Sequence, residues 1–382
     1  APTTGDAATT DATTGSSSSG TTRAVSDTGD ASTSTSSTSS TSSTGEESST
    51  STGEEPPVDL CAHQDDPPPA VIRKAINDDP RFIQVYDDNI ENLKLAGEQC
   101  AGDWTDLIYY MKTIEPSPDV FLVQQISDPA QLEVLVDRLE TELPGLFEGF
   151  ISDAEPWPQM SPCGKEKALQ TNAIILRTGR FEVVGDKHVW QSWANKDGEC
   201  VRNNQARTRN VMVKLHDKIA DKHVTVASMH WSTSQGAGDD PACAEANVLE
   251  VDEKLHKAGF GGDMVIFGGD FNESDRNDMG DFRAWYKLAN GDGGGALNYR
   301  DPIYRMCDAT DNLKDCLDDN DTGGKRIDML FAQDQNGCRV RTARAHTITY
   351  AEAEAAAKQL SGDSDPDLHY SEHRALRAEF YY

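Results

Sequence analysis

The chain of 382 residues carries 65 acidic and 35 basic side chains, which gives a formal net charge of −30. Nine acids and one base fall within residues 1–60, so the remaining residues carry a net charge of −22. A charge of this size argues against a protein held on nucleic acid by a broad basic face, although a bound cation and a few arginines can still hold a phosphate locally.

Residues 1–60 consist almost entirely of Ser, Thr, Gly, Ala, Asp and Glu. Such a segment cannot bury enough apolar surface to offset its ordering entropy, so we predict a disordered tether that is open to O-glycosylation. Residues 61–382 carry every Trp, Tyr, Phe, Met and Cys and are predicted to form one domain around a sizeable core. The chain opens at Ala1 with neither a Met nor a visible signal peptide, which we interpret as a mature or trimmed exported chain.

Short apolar runs that are rich in Val, Ile and Phe recur from residue 81 onward, between polar or Gly-rich stretches. They are predicted as β-strands over 81–86, 120–124, 173–177, 210–215, 224–230, 264–268 and 327–332. Helices are predicted from apolar residues at helical spacing, or from Ala-rich composition, over 103–114, 129–143, 243–257 and 351–360. This mixture predicts two packed sheets flanked by helices. The acidic stretch 311–324 does not match a calcium-binding EF-hand loop and is predicted to be a solvated loop.

The chain has eight cysteines, an even number with no Cys-x-x-Cys spacing. This pattern favours up to four disulfides in an exported protein over a zinc site or a thioredoxin-like motif. Cys307 and Cys316 are near enough in sequence to close a short loop, and the remaining pairing is open. We therefore predict a secreted protein or one tethered to the cell surface.

Polar residues follow or end several of the predicted strands, where loops and ligands meet in layered folds. Each alone has an ordinary explanation, such as a structural histidine, an Asp/Asn turn or a surface ion pair. The segments are Asp88–Asn92, Phe121–Gln125, Ala227–Trp231, Ile266–Asn272, Arg326–Phe331 and Ser371–Arg374.

In their order and spacing, these segments resemble the endonuclease/exonuclease/phosphatase superfamily over about residues 81–380. The most specific matches are Gly269-Asp270-Phe271-Asn272 and Ser371-Glu372-His373-Arg374. The resemblance implies a deoxyribonuclease I-like fold of class α/β (α+β), a four-layer sandwich of two packed mixed β-sheets flanked by helices. It also implies a divalent-metal-dependent hydrolase that acts on phosphodiester bonds.

The resemblance assigns a role to each matching residue. Asp270 orients or deprotonates the attacking water, and Asn272 holds a phosphate oxygen. His230 and His373 flank the scissile phosphate, and Asp328 orients one of these histidines. The metal ligands implied are Asn89, Glu91, Gln125 and Glu372. Arg209 is the implied phosphate contact, with Arg207 as an open alternative.

These roles agree with the chemistry that phosphodiester hydrolysis needs. Water becomes an effective nucleophile when a carboxylate accepts its proton, and a protonated histidine supplies charge together with a hydrogen bond. Carboxylate and amide oxygens suit Mg²⁺, with Mn²⁺ or Ca²⁺ as alternatives, and nothing in the set requires zinc.

Two positions depart from the family pattern. Gln125 stands where the family has its main metal-binding Glu, so the site loses one negative charge and should bind a metal more weakly. Glu372 stands where the family has Asp, with the same charge on a longer side chain. We expect the two changes to compensate in part, with Glu91 as a further carboxylate.

Several functions remain open at this point. A nuclease-like phosphodiesterase acting on nucleic acid is favoured narrowly over a sphingomyelinase-like enzyme acting on a lipid headgroup or a small-phosphoester hydrolase. A sphingomyelinase needs an exposed membrane-touching loop, for which Trp157, Trp190 and Trp193 are candidates, although core packing is the favoured interpretation of each. A catalytically inactive binding protein on the same fold, or an interaction domain on a stalk, is the non-enzymatic alternative. No stable protein partner is inferred, and a monomer is expected.

Overall fold

The computed structural model describes residues 61, 66–67, 75–91, 104–155, 170–233, 242–362 and 370–382. The predicted tether, residues 1–60, and Trp157 lie outside these ranges. None of the described helices is both long enough and apolar enough to cross a bilayer.

Two six-stranded sheets dominate the described part of the chain. The first has the order β13-β14-β1-β2-β4-β3, built from β1 Phe82–Asn89, β2 Val120–Ile126, β3 Phe147–Ile151, β4 Thr171–Arg177, β13 Arg341–Thr347 and β14 Leu376–Tyr381. The second has the order β12-β11-β10-β9-β5, with β6 also paired to β9, built from β5 Phe181–Val183, β6 His188–Gln191, β9 Arg209–Asp217, β10 Lys222–His230, β11 Met264–Asp270 and β12 Asp328–Asp334. A separate hairpin joins β7 Trp193–Lys196 to β8 Glu199–Arg202.

Both sheets are mixed. In the first, β1 is parallel to β2 and antiparallel to β14. In the second, β10 is parallel to β11, while β9 and β12 run antiparallel to their neighbours. As a result β1, β2, β10 and β11 all end at the same edge of the sandwich.

Seven helices accompany the described strands. They are α1 Thr105–Thr113, α2 Pro129–Glu142, α3 Ala242–Leu255, α4 Ala284–Ala289, α5 Pro302–Asp308, α6 Leu313–Asp319 and α7 Tyr350–Ser361. The apolar faces of α1, α2 and α7 share a core cluster with the outer face of the first sheet. The face between the sheets packs in a second cluster, which also includes the buried face of α3. Two sheets between helical layers confirm the predicted four-layer sandwich.

All seven predicted strands and all four predicted helices are present, with ends shifted by up to a few residues. The sequence analysis missed the short strands β3 and β5–β8, the C-terminal strands β13 and β14, and helices α4–α6. The prediction of a solvated loop over 311–324 was wrong, because α6 occupies its centre. The Asn312 side chain caps this helix by accepting a hydrogen bond from Asp315 N, and Leu317 is buried beneath it.

Three disulfides connect described residues: Cys61–Cys338, Cys200–Cys243 and Cys307–Cys316. The last of these confirms the short loop expected from the sequence. Cys100 and Cys163 lie outside the described residues.

A buried ionic network closes the opposite edge of the sandwich. Asp119, just before β2, accepts hydrogen bonds from Arg177 Nη2 at 2.6 Å and Arg180 Nη1 at 3.2 Å. It also accepts from Gln84 N at 2.9 Å, and Arg180 Nη2 donates to Asp217 at 2.6 Å. Since these charges are removed from water, each depends on the others for compensation.

Candidate active site

Three polar side chains form a row across the second sheet, at the edge where β10 and β11 end and β12 begins. His230 is aligned with Asp270 in the β10–β11 pair, and Asp270 is aligned with Asp328 in the β11–β12 pair. Because neighbouring strands are about 4.8 Å apart, this register alone brings the three together. All three are buried, and His230 Nε2 lies 3.5 Å from Asp270 Oδ2.

The first sheet contributes Asn89, the last residue of β1. Its Nδ2 atom donates to Asp270 Oδ2 over 2.9 Å and lies 3.5 Å from His373 Nε2. A second link between the sheets lies just below, where Gln124 Nε2 donates to Ser228 Oγ over 3.1 Å. These contacts hold the two sheet edges at a fixed separation, so the packing of the two sheets positions the side chains of the site.

His373 reaches the same place from the segment before β14. Its Nδ1 atom hydrogen-bonds to Asp328 Oδ2 over 2.8 Å, and its Nε2 atom lies 4.0 Å from Asp270 Oδ2. Ser371 Oγ donates to the carbonyl oxygen of Asn89 and accepts from His373 N at 3.1 Å. The Ser-acid-His motif therefore ties the end of the chain to the end of β1.

The charge state of His373 follows from these neighbours. Burial opposes a charge on the imidazole, but the carboxylates of Asp328 and Asp270 outweigh it and raise the pKa of His373 to about 10. The ring is therefore protonated at neutral pH and can offer both positive charge and an N–H donor.

Left-handed backbone marks three residues around this cluster: Glu91 with φ 48°, Gln125 with φ 58° and Asn272 with φ 51°. Such a conformation costs a non-glycine residue about 1–2 kcal/mol and is concentrated at functional sites. Gly269 has φ 139°, and an added Cβ would lie 1.9 Å from the carbonyl oxygen of Met229, so only glycine fits there.

The turn that follows Gly269 places two functional groups side by side. Asn272 N donates to Asp270 Oδ1 over 2.7 Å, and Asn272 Nδ2 donates to Asp270 Oδ2 over 3.2 Å. Asn272 Nδ2 also donates to the carbonyl oxygen of Trp231 at 2.9 Å, which fixes the side chain against β10. The Gly-Asp-Phe-Asn motif thus orients a carboxylate and an amide toward one point.

The donor atoms at the site suit a hard divalent cation. Glu91 and Gln125 are buried at the strand ends, and Gln125 Oε1 has no hydrogen-bond partner among the described residues. Side-chain atoms of Asp270, Asp328 and His373 also lie within 4.8 Å of one another, but the protonated ring of His373 cannot coordinate an ion. Carboxylate and amide oxygens are what Mg²⁺ and Ca²⁺ prefer, so the residues present fit such an ion.

Arg207, the open alternative in the sequence, lies near enough to Asp270 and Glu91 for their charges to act on it, and its Nε atom donates to Gln205 Oε1 over 3.0 Å. Arg209 Nη1 lies 2.8 Å from Asp153 Oδ2, which engages its guanidinium in an ion pair. Burial lowers the pKa of Arg207, while the nearby carboxylates of Asp270 and Glu91 act to raise it. The ion pair with Asp153 favours Arg207 over Arg209 for the phosphate contact, and the contact itself stays a prediction.

Glu372 also departs from its expected place. Its side chain is exposed, and its carboxylate is not part of the cluster that Asp270, Asp328 and His373 form. Its carbonyl oxygen accepts a hydrogen bond from Tyr350 Oη at 2.8 Å, so the backbone is held while the carboxylate turns outward.

Two buried acids next to Asn89 received no role from the sequence. Asp87 accepts from Gln124 Nε2 at 2.9 Å, and burial together with the charge of Asp328 raises its pKa well above the usual range. Burial likewise raises the pKa of Asp88, whose carboxylate oxygens have no hydrogen-bond partner among the described residues. The signal for Asp87 was its position two residues before Asn89, which puts both on one face of β1.

Comparison with known proteins gives evidence from structure alone. No protein-family model and no curated protein matches this sequence. The human Nocturnin catalytic domain, solved with a bound sulfate anion, is 16% identical and aligns over 79% of this chain and 95% of its own, with a TM-score of 0.51.

Two bacterial proteins give a similar result. An endonuclease/exonuclease/phosphatase family protein from Leptotrichia buccalis is 13% identical over 78% of this chain and 100% of its own, with a TM-score of 0.50. A protein of the same description from Bacteroides vulgatus is 16% identical over 78% and 98%, with a TM-score of 0.48. The Nocturnin and Leptotrichia matches show that this chain shares their fold, which confirms the fold class predicted from the sequence.

Proposed function

We propose that this chain is a divalent-metal-dependent phosphodiester hydrolase with its active site at this edge of the sandwich. One observation carries the proposal: six polar side chains from five separate segments meet there. They are Asn89, His230, Asp270, Asn272, Asp328 and His373.

In this proposal Asp270 accepts the proton of the attacking water. Three N–H donors, two from Asn272 and one from Asn89, hold its carboxylate in a fixed orientation. A pre-oriented carboxylate does not have to reorganise as the water attacks, which lowers the barrier to in-line displacement.

The two histidines stabilise the charge that develops on the phosphate. His373, held by Asp328, brings a positive charge and an N–H donor to the oxygens of the pentavalent state. His230, held through its backbone N–H by Asn210 Oδ1 at 2.9 Å, stands across Asp270 from His373. Arg207 adds a further positive charge near Asp270.

Glu91 and Gln125, with Asn89, would hold the metal ion, for which Mg²⁺ is proposed first and Mn²⁺ or Ca²⁺ as alternatives. When bound, the ion supplies Lewis-acid neutralisation of phosphate oxygens and of the leaving alkoxide. Glu91 would supply the negative charge that is missing at Gln125, where the family has a Glu. Its carboxylate also acts to raise the pKa of His373 and of Arg207.

Nucleic acid is the substrate class proposed first, ahead of lipid and small phosphoesters. Of the three aromatic residues considered for membrane contact, the two that the structure describes do not support a lipid substrate. Trp190 is buried, and the Trp193 ring packs 3.8 Å from the guanidinium carbon of Arg202. Three disulfides support an exported, extracellular location, because such bonds persist in oxidising compartments.

A catalytically inactive binding protein is the second candidate, favoured by Gln125 alone. If the loss of that carboxylate leaves the metal too weakly held, the same pocket would bind a phosphate group without hydrolysing it. The two candidates share a fold and a pocket and differ only in turnover.

The test is hydrolysis of bis(p-nitrophenyl) phosphate with Mg²⁺, Mn²⁺ or Ca²⁺, and with EDTA. We expect EDTA-sensitive turnover that is lost in His230→Ala and in Asp270→Asn. His256→Ala is a matched control, because His256 Nδ1 lies 3.4 Å from Asp252 Oδ1, a His–Asp pair of similar length away from the site. A folded wild type without turnover under any of these ions would count against the diesterase and favour the binding protein.

A further inference from the structure

The side-chain amide of Asn172 joins two parts of the proposed active site that lie on different sheets. Asn172 is the second residue of β4 and is fully buried. Its Oδ1 atom accepts a hydrogen bond from Gln125 N over 3.3 Å. Its Nδ2 atom donates to the carbonyl oxygens of Arg207 and Arg209, each over 2.8 Å. Both N–H groups and the oxygen of one amide are therefore engaged at the site.

On the first sheet, Asn172 lies opposite a bulge at the end of β2. The alignment of β2 with β4 shifts by one residue between Val123 and Ile126. Two residues of β2, Gln124 and Gln125, therefore stand opposite the single residue Asn172. A bulge of this kind removes a residue from the ladder of backbone hydrogen bonds and changes the direction of its side chain. Asn172 Oδ1 gives Gln125 N the acceptor that a regular ladder would supply from the backbone.

The direction of Gln125 matters because this residue is a proposed metal ligand. Its backbone has φ 58°, and its buried Oε1 atom has no hydrogen-bond partner among the described residues. The residues that orient metal ligands through hydrogen bonds commonly affect metal affinity as well. By holding the turned backbone, Asn172 fixes the direction in which the Gln125 side chain leaves the strand.

On the second sheet, the same amide holds the segment that carries Arg207. Ala206–Thr208 forms a single 3-10 turn, and β9 begins directly after it at Arg209. The two bonds from Nδ2 span this junction and fix the path of the backbone there. The guanidinium group is held separately, because Arg207 Nε donates to Gln205 Oε1 over 3.0 Å.

Asn172 is itself fixed in place by the neighbouring strand β3. Asn172 N donates to Ser152 Oγ over 3.2 Å, and the Asn172 carbonyl oxygen accepts from Ser152 N at 2.7 Å. Ser152 directly follows β3, so the backbone of Asn172 is bonded on the side away from β2. The amide is therefore a fixed point from which both sheets can be positioned.

We propose that Asn172 is a positioning residue, whose amide sets the separation between the metal ligand Gln125 and the phosphate-binding Arg207. Asn172 is not itself a proposed ligand of the metal or of the substrate, so it acts through these two residues. This inference rests on the proposed function, which assigns their roles to Gln125 and Arg207. A merely structural asparagine would contribute to stability alone.

The experiment follows Mg²⁺ binding by isothermal titration calorimetry and kcat/KM for bis(p-nitrophenyl) phosphate in Mg²⁺. Asn172→Ala should weaken Mg²⁺ binding by about tenfold, because Gln125 loses the partner that orients it. It should lower kcat/KM by about 10- to 100-fold, because the metal ligand and the arginine both lose their alignment.

Asn172→Asp is a second variant, which keeps the shape of the side chain if alanine disturbs folding. It retains an acceptor for Gln125 N but loses the amide donor that faces the carbonyl oxygens of Arg207 and Arg209. Its Mg²⁺ affinity should therefore not fall below that of the wild type, whereas kcat/KM should fall. A loss of Mg²⁺ affinity without a loss of kcat/KM would contradict the assignment of the two contacts.

Asn77→Ala is the matched control at the opposite edge of the sandwich. Asn77 is also buried, and its Nδ2 atom donates to the Phe82 carbonyl oxygen at 3.1 Å and to Asp119 Oδ2 at 2.6 Å. Its Oδ1 atom accepts from Asp79 N at 3.1 Å. This variant should lower the urea midpoint, as Asn172→Ala does, but should keep the wild-type Mg²⁺ affinity and kcat/KM. Wild-type values of both in a folded Asn172→Ala would overturn the proposal while leaving the proposed function intact.

A double-mutant cycle with Arg207→Ala tests the contact on the second sheet. If Asn172 acts in part through Arg207, the double variant should lose less kcat/KM than the product of the two single losses. Single losses that simply multiply would refute the link to Arg207.

Failure of the proposed function would look different. If the wild type binds Mg²⁺ but does not hydrolyse the diester, the calorimetry alone tests the inference. Weaker Mg²⁺ binding by Asn172→Ala than by Asn77→Ala would then support the positioning of Gln125 on a non-catalytic protein, and equal binding would refute it.

Discussion

The hydrogen bond between His373 and Asp328 favours the charged form of the His373 imidazole. Asp328→Asn removes the negative charge of Asp328 while preserving the shape of its side chain. The carboxylates around His373 raise its pKa to about 10 against the pull of burial. A hydrogen bond to a charged partner contributes about 1.5–3 kcal/mol, and one pKa unit corresponds to about 1.4 kcal/mol. We therefore expect the pKa of His373 to fall by about 1–2 units in Asp328→Asn.

The measurement is an NMR titration of the His373 imidazole in EDTA, where only the chain's own charges act. Glu352→Gln is the control, because it alters an equivalent pair, His346 with Glu352 at 2.9 Å, and should leave the His373 pKa at about 10. An unchanged pKa in Asp328→Asn would refute the claim that Asp328 holds the charge on His373.

The free energy of unfolding should depend on pH through the same protonation of His373. Because the folded-state pKa of His373 is raised, its contribution to the free energy of unfolding is fully present below about pH 6.5 and is lost as pH rises through about 10. Asp328→Asn should therefore be less stable than wild type at pH 7, and the part of this deficit due to His373 should disappear above pH 10. If hydrolysis uses the protonated ring, the alkaline limb of the pH–rate profile should move to lower pH in step with the titration.

Three further substitutions test other parts of the structure. Gln125→Glu should strengthen Mg²⁺ binding roughly tenfold by isothermal titration calorimetry, since it restores a carboxylate at a strand end, and unchanged affinity would remove Gln125 from the metal site. Asp88→Asn should raise the free energy of unfolding at pH 7 by about 1–3 kcal/mol. Because burial raises the pKa of Asp88, folding above about pH 4 must either protonate this carboxyl group or bury its charge, and the advantage of the amide should be lost as pH falls toward 4. Equal melting temperatures at pH 7 would contradict this. Asp119→Ala should cost about 3–5 kcal/mol in urea unfolding, because it leaves the buried guanidinium groups of Arg177 and Arg180 without one partner, and a loss below 1 kcal/mol would show that the network is solvated.

The sequence by itself determined the layered fold and most of the site. Buried strands such as Met264–Asp270 are near-continuous apolar runs, and their ends are marked by the residues that a turn or a ligand requires. The turn at Gly269 and Asn272 can be predicted from the sequence, because glycine and asparagine tolerate the positive φ angles found there. The short strands and helices escaped prediction because their periodicity is too brief, and β14 lies between β13 and β1, two strands that are distant from it in the chain.

Tertiary structure alone decided which of the candidate side chains meet. Arg207 and Arg209 are two residues apart and carry the same side chain, but Arg207 donates to Gln205 whereas Arg209 pairs with Asp153. Glu372 and His373 are neighbours, yet one faces solvent and the other is held by Asp328. Local sequence fixes backbone conformation through short-range sterics, whereas the direction of a side chain depends on partners that are distant in the chain and are brought near only by the packing of the two sheets.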